Sequence, residues 1–156
     1  MFPEPASGNQ YLAHHLADLL RSYHQLTGKY LVEPCGSKEE MARMAYEAPF
    51  VLLSHEQASD PRLTYGNLAA QKLFAMDWQQ LIGTPSRKTA EAPERAERDE
   101  LLRRVSENGY IDDYSGVRIS GDGRRFMIRE ATVWNVMDAE GNPAGQAATF
   151  SDWEEI

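Results

Sequence analysis

The stretch GYIDDYSGVRISGDGRRFMIREATVWNVMDAEGNPAGQAATF, residues 109–150, holds three runs of strand character separated by two turn signals. Tyr110 to Ser120 leads into Gly121-Asp122-Gly123, a hairpin signal. Arg125 to Met137 then reads as one long strand, and Glu140-Gly141-Asn142-Pro143 turns the chain again before Gln146 to Phe150. Connections this short join antiparallel neighbours, so the last third of the chain is a three-strand meander.

Working outward, Asn108-Gly109 is a left-handed stop for a preceding helix that turns Leu101, Leu102 and Val105 inward. Pro93, in the polar segment Ser86 to Glu97, suits that helix's first turn. Further back, Phe50-Val51-Leu52-Leu53 and Leu63-Thr64-Tyr65 read as two more short strands around a turn-rich stretch through Asp60-Pro61. Asn67 is placed to cap a helix burying Ala70, Leu73 and Phe74. Trp78, Leu81 and Ile82 make another helical turn, closed by Gly83 and Pro85.

Two helices precede the first strand. Leu12, Leu16, Leu19, Tyr23 and Leu26 recur at helical steps up to Gly28, and Ser37 with Glu40 forms a capping box before Met41, Met44 and Ala45, with Pro49 as the stop. Met1 to Ser7 reads as a frayed tail. The order is α+β, with the first two strands joining the last three in one antiparallel sheet. The expected organisation is an N-terminal helical extension over 1–48 and a sheet domain over 49–156, forming one globular unit without internal repeats.

At 156 residues, 42% of them hydrophobic, the chain is long enough for a single core with no metal or disulfide staple. Its one cysteine, Cys35, cannot form an internal disulfide, which excludes a disulfide-framed secreted module and makes a reducing cytoplasm the expected compartment. No signal-peptide pattern and no run near ~18 apolar residues indicates export or membrane spanning. With 16 basic and 24 acidic residues the formal charge is −8, which opposes nucleic acid or anionic lipid as a primary partner.

Few residues suggest chemistry. His14, His15, His24 and His55 lack metal-ligand spacing, so packed or surface histidines are expected and no metal site. Cys35 lacks a visible base, and no glycine-rich loop opens a helix for phosphate. Asp112 and Asp113 are adjacent on a strand and would point to opposite faces. Counting by two along the long strand puts Phe126, Ile128, Glu130, Thr132, Trp134 and Val136 on one face, unless a bulge switches the register. Glu130 is then either the polar floor of a pocket or the partner of Arg118 or Arg129 at a solvated rim.

The stretch LTYGNLAAQKLFAMDWQQLIG (63–83) resembles the PAS pattern of strand, Asn-capped helix and a turn ending in Leu-Ile-Gly. More specifically, PSRKTAEAPERAERDELLRRV (85–105), GYIDDYSGVRIS (109–120), GRRFMIREATVWNVMD (123–138) and GQAATF (145–150) are similar to the MEKHLA domain, a PAS-like module. That module occurs alone and at the C-terminus of plant homeodomain leucine-zipper regulators. The resemblance implies a five-stranded antiparallel sheet with short helices on one face and a sensory or regulatory role. No homeodomain or zipper precedes the module here, so their DNA binding is not carried over. Leu73 to Ile82 lacks the cysteine of flavin-adduct relatives and Arg98 to Val105 lacks a haem histidine, so the cofactor is unknown.

The reading is a stand-alone PAS-like module that binds a small ligand or a protein partner without catalysis. Its pocket would lie between the concave sheet face and the short helices, lined by Tyr65, Phe74, Trp78, Ile119, Phe126, Ile128, Trp134 and part of Thr149, with Glu130 or Thr132 as the polar contact. One alternative is a small lyase or isomerase using Glu130, Asp113 and Tyr114; another is pure protein interaction through the N-terminal helices. The Leu12–Leu26 stripe either forms a homodimer or covers the sheet within the chain.

Overall fold

The computed structural model describes residues 2–90 and 95–156, so Pro93, expected to open a helix, lies outside the described residues. After a 3-10 segment at Ser7–Leu12 come helices α1 (Ala13–Thr27) and α2 (Lys38–Tyr46), strands β1 (Val51–His55) and β2 (Leu63–Gly66), and helices α3 (Leu68–Leu73) and α4 (Trp78–Leu81). A 3-10 turn at Ser86–Thr89, helix α5 (Arg95–Asn108) and strands β3 (Tyr110–Ile119), β4 (Arg125–Met137), β5 (Pro143–Phe150) and β6 (Asp152–Glu155) complete the chain. The sheet runs β2-β1-β5-β4-β3 with every pair antiparallel, and β6 takes over from β5 along β4 as a sixth strand.

Local signals set most of these limits. The Gly28 N–H bonds the His24 carbonyl at 2.9 Å and ends α1; Ser37 Oγ accepts from the Glu40 N–H at 3.1 Å and starts α2. Met44, expected on the buried face of α2, is 44% exposed, and Ala42, Ala45 and Tyr46 pack inward instead. The N-terminal tail is docked, contrary to the frayed segment expected. Pro5 is buried, and the Phe2 carbonyl accepts from Trp78 Nε1 at 3.1 Å.

The sheet has four register shifts, one of them between Val136 and Met137, and the other three decide which face the residues around them join. On β4, Ile128 faces Gly116 but Ala131 faces Tyr114, so one extra residue is inserted at Arg129–Glu130, where Glu130 has φ +51°. Phe126 and Ile128 therefore continue as Ala131 and Val133 on one side, while Trp134 and Val136 fall on the other. This corrects the count by two that put Trp134 with Phe126. A matching extra residue on β3 at Asp112–Asp113 leaves both carboxylates exposed instead of on opposite faces. Between β1 and β2, Tyr65 faces Ser54 yet Leu63 faces His55, which sends Tyr65 to the Trp134 side.

Each face of the sheet carries its own apolar cluster. On one, α1 and α2 bring Leu16, Leu19, Tyr23 and Tyr46 against Leu52, Tyr65, Trp134 and Ala147. On the other, α3 to α5 bring Phe74, Leu81, Leu101 and Val105 against Val51, Ile128, Ala131 and Phe150. The apolar stripe of α1 thus covers the sheet within the chain. Polar bonds fix the same helix: Ser22 Oγ accepts from the Met137 N–H at 2.9 Å, and Arg21 Nη2 donates to the Met137 carbonyl at 2.9 Å.

His15 sits in this packing, with Nε2 3.1 Å from Ser54 Oγ and its ring 4.6 Å from that of Phe2. Burial lowers its pKa from 6.5 to about 4, helped by the His14 charge and opposed by Asp18. The folded state thus prefers the neutral ring, so this contribution is intact above pH 6.5 and declines as pH falls toward 4. Urea unfolding should show the wild type losing up to about 3 kcal/mol more than His15→Gln between pH 7 and 4. Identical pH slopes would show that the ring is not held neutral.

Candidate functional site

A cavity of about 80 Å³ opens on the concave side, between the sheet, α5 and the Ser86–Thr89 turn. Most of its wall is carbon, from residues including Leu53, Leu63, Phe74, Leu101, Ile128 and Val133. Into this setting the fold brings His55, Ser86, Thr89, Arg98, Tyr114, Arg118 and Gln146.

Arg98 lies in the first turn of α5, three and seven residues before Leu101 and Val105, so the helix's buried face carries it inward. Only 5% of it is exposed. Its Nη2 donates to Ser86 Oγ at 2.8 Å, while Nη1 meets Asp99 Oδ1 at 3.4 Å, a carboxylate that is 74% exposed. Arg118 shares the inward parity of Tyr114 and Gly116 on β3 and is 8% exposed. Its guanidinium carbon stands 5.1 Å from the centre of the Tyr114 ring and Nη1 donates to the Val117 carbonyl at 2.9 Å. Tyr114 Oη is buried without a hydrogen bond and lies over Gly116, where a Cβ would overlap it. Only glycine at 116 admits that ring.

His55 and Gln146 face each other across β1 and β5. His55 Nδ1 is 3.0 Å from the Glu56 carbonyl, and Gln146 Nε2 donates to Asn135 Oδ1 at 2.9 Å. Their other polar atoms, Nε2 and Oε1, are buried with no hydrogen bond. Burial pushes His55 below the ordinary imidazole range, against the Glu56 carbonyl and with the Arg98 charge. Arg98 is itself held below the usual guanidinium range by burial first and the Arg118 charge second. Burial raises the Tyr114 phenol, and Arg118 opposes that rise. The site is therefore a small apolar cavity with two buried cations and several unused polar atoms on its wall. It has the makings of a binding site.

Of the pocket residues expected from sequence, Phe74 and Ile128 line the cavity. Phe126 packs on Phe74, ring centres 5.3 Å apart, but outside the lining, and Ile119 is only partly buried beyond it. Tyr65, Trp78 and Trp134 belong to the opposite face, as the bulges dictate. Glu130 is exposed at its bulge and, with Thr132 and Thr149, lines a shallow depression on the α1 side. It is neither a pocket floor nor a partner of the expected arginines: Arg129 pairs with Glu154 at 2.9 Å, and Arg118 turns inward. Tyr114 faces the cavity while Glu130 faces the other side and Asp113 is exposed, so the three residues of the lyase reading are not assembled. Among the described residues, no group of three or more His, Cys, Asp or Glu side chains is placed to hold a metal.

The sequence matches the MEKHLA domain family over residues 13–155. Among curated proteins the chain is similar to the homeobox-leucine zipper protein HOX10 of Oryza sativa, in both subspecies indica and japonica, at 23% identity over 97% of this chain. The match spans only 17% of that relative's length. Among solved structures it is similar to a PAS domain from Colwellia psychrerythraea, with TM-score 0.62 and 13% identity over 76% of this chain and 95% of that one. An RNA-binding light-oxygen-voltage receptor gives TM-score 0.63 and 16% identity over 80% of this chain and 36% of that one. These likenesses establish a PAS-like fold.

Light-oxygen-voltage neighbours raise the question of a flavin, and the residues present do not fit one. The cavity of about 80 Å³ is far below the roughly 300 Å³ at which cofactor pockets begin. Cys35, the chain's single cysteine, is exposed before α2 with Sγ 3.3 Å from Met44 Sδ, outside the cavity lining.

Proposed function

This chain belongs to the MEKHLA domain family, and on that premise we propose that it is a PAS-like sensory module whose state is set by a small ligand in the concave cavity, without catalysis of its own. The observation that carries the reading is a carbon-walled cavity on which buried polar atoms converge with their bonding capacity unspent. The cavity wall is drawn from α5 and all five strands β1 to β5, so the differential contacts of a ligand there would bias how α5 sits on the sheet. A net charge of −8 argues against a nucleic-acid partner, and a cytoplasmic location belongs to the same proposal on the strength of the single cysteine.

The homodimer reading now rests on the outer flank of α1, where Leu20, Tyr30, Leu31 and Met41 border a groove of about 340 Å³. Sedimentation at tens of micromolar reads it directly, and a lone monomer removes it.

Native mass spectrometry tests the ligand reading. Incubated with a small-metabolite extract, the protein should acquire one low-mass adduct and appear colourless. Ala148→Leu, which fills the cavity from β5, should abolish the adduct while the protein stays folded. Failure to acquire any adduct, or an adduct unaffected by Ala148→Leu, contradicts the reading.

A further inference from the structure

Arg98 and Arg118 are an unusual pair for a protein of net charge −8 to bury. They point into one cavity, close enough for the charge of one to bear on the other. Among the described residues, the only carboxylate within 4 Å of either is Asp99, reached by Arg98 at 3.4 Å and largely in water. A guanidinium carries five N–H donors. Arg98 makes two hydrogen bonds and Arg118 one, among the described residues. A buried charge without a counterion costs several kcal/mol, and a second like charge beside it adds to that cost. Apolar side chains of similar volume would make the better core, so the pair is costly unless an anion enters the cavity.

The cavity also limits what the anion is. Its volume of about 80 Å³ is several times the roughly 10–15 Å³ that admits one water, enough for a small anion of a few non-hydrogen atoms. It is well below the roughly 300 Å³ at which pockets for larger ligands begin. Much of the wall is aliphatic or aromatic, so an ion with polar atoms on every side, such as phosphate, would leave several of them against carbon. A planar anionic head with a hydrocarbon end matches both parts of the wall.

Building on the ligand reading given above, we propose that the cavity takes a small carboxylate with a short apolar tail, its head held by Arg98 and Arg118 and its tail against Leu53, Phe74 and Ile128. The guanidinium fork suits a carboxylate, two parallel N–H donors meeting two oxygens. Tyr114 Oη, buried beside the Arg118 guanidinium, is a further donor at the same wall, and Ser86 holds Arg98 in place. The tail fills the carbon-lined part and excludes water from the head, which strengthens the charged bonds.

Calorimetric titration of the full chain at fixed ionic strength compares sodium butyrate with butyramide and inorganic phosphate. Butyrate should bind at least about tenfold more tightly than either, the effect of one charge-assisted hydrogen bond or more. Arg98→Met and Arg118→Met should each weaken butyrate about ten- to a hundredfold, without lowering the melting temperature of the unliganded protein, because a buried unpaired charge has been removed. Arg118→Lys, which keeps the charge but not the fork, serves as the milder variant and should lose affinity to an intermediate degree. Equal binding of butyramide and butyrate overturns the proposal and leaves the cavity reading standing, as does phosphate binding more tightly than butyrate. Silence from every compound, neutral or charged, overturns the cavity reading itself. A melting temperature lowered by several degrees in both methionine variants shows that the arginines are structural, and also overturns the proposal.

Discussion

Asn67→Ala is expected to destabilise the fold by on the order of 4 kcal/mol, enough to unfold a marginal domain of this size. The side chain is fully buried. Its Oδ1 accepts from the N–H groups of Leu52 and Ala70, each at 3.1 Å, and its Nδ2 donates to the carbonyls of Ala45 at 3.1 Å and Phe50 at 2.8 Å. One amide thus ties the end of α2, the start of β1 and the first turn of α3. Alanine leaves the N–H groups of Leu52 and Ala70 and the Phe50 carbonyl without these partners, each worth about 1–3 kcal/mol before relaxation or water entry, while the Ala45 carbonyl still accepts from the Ala48 N–H at 3.4 Å. Asn67→Ser separates the parts: it keeps the cap on Ala70 but not the donor bonds, and should recover about 1 kcal/mol of the loss. Chemical denaturation checks both. If alanine costs less than about 1 kcal/mol, the asparagine is an ordinary helix cap and not a junction.

The second large effect is Trp134→Ala, expected to cost about 3–5 kcal/mol through the cavity it leaves. The indole is fully buried under α1, with the Tyr23 ring edge-on at 4.9 Å and Nε1 donating to the Leu19 carbonyl at 3.3 Å. Because Glu130 is exposed at the bulge, Glu130→Gln should change stability by less than about 0.5 kcal/mol. Neither substitution should alter ligand affinity measured on folded protein, since both residues belong to the face opposite the cavity. A loss of affinity in Trp134→Ala at unchanged stability would mean that the two faces have been assigned wrongly.

Elements with a local chemical signature were legible in the sequence. Ser37 and Asn67 as caps, Gly28 and Gly109 as stops and Gly121-Asp122-Gly123 as a turn each act through their own backbone, so neighbours suffice to read them. The side of the sheet each strand residue joins was not legible. The insertion at Glu130 places a non-glycine residue at φ +51°, and the shift beside Thr64 falls in a run of good strand formers; neither is announced by glycine, proline or asparagine. Strict alternation therefore puts Tyr65 and Trp134 on the face opposite the one they join, while Ile128 precedes the bulge and lies on the cavity wall.

Arg98 and Arg118 escaped for a different reason, because charged residues in a helix and a strand are ordinarily read as solvated. The signal was available. Arg98 keeps step with Leu101 and Val105, and Arg118 keeps step with Tyr114 and Gly116, so periodicity alone puts both among inward positions.

On the proposed function, one face of this sheet is sealed by α1 for stability and the other is kept for a ligand. Two-dimensional amide NMR, following the labelled protein as sodium butyrate is added, tests it most directly. Saturable shifts are expected to cluster at Leu53, His55, Tyr114, Arg118 and Ala148, with the indole signal of Trp134 unmoved. Shifts confined to α1 and the Trp134 indole, with the concave residues silent, would contradict it.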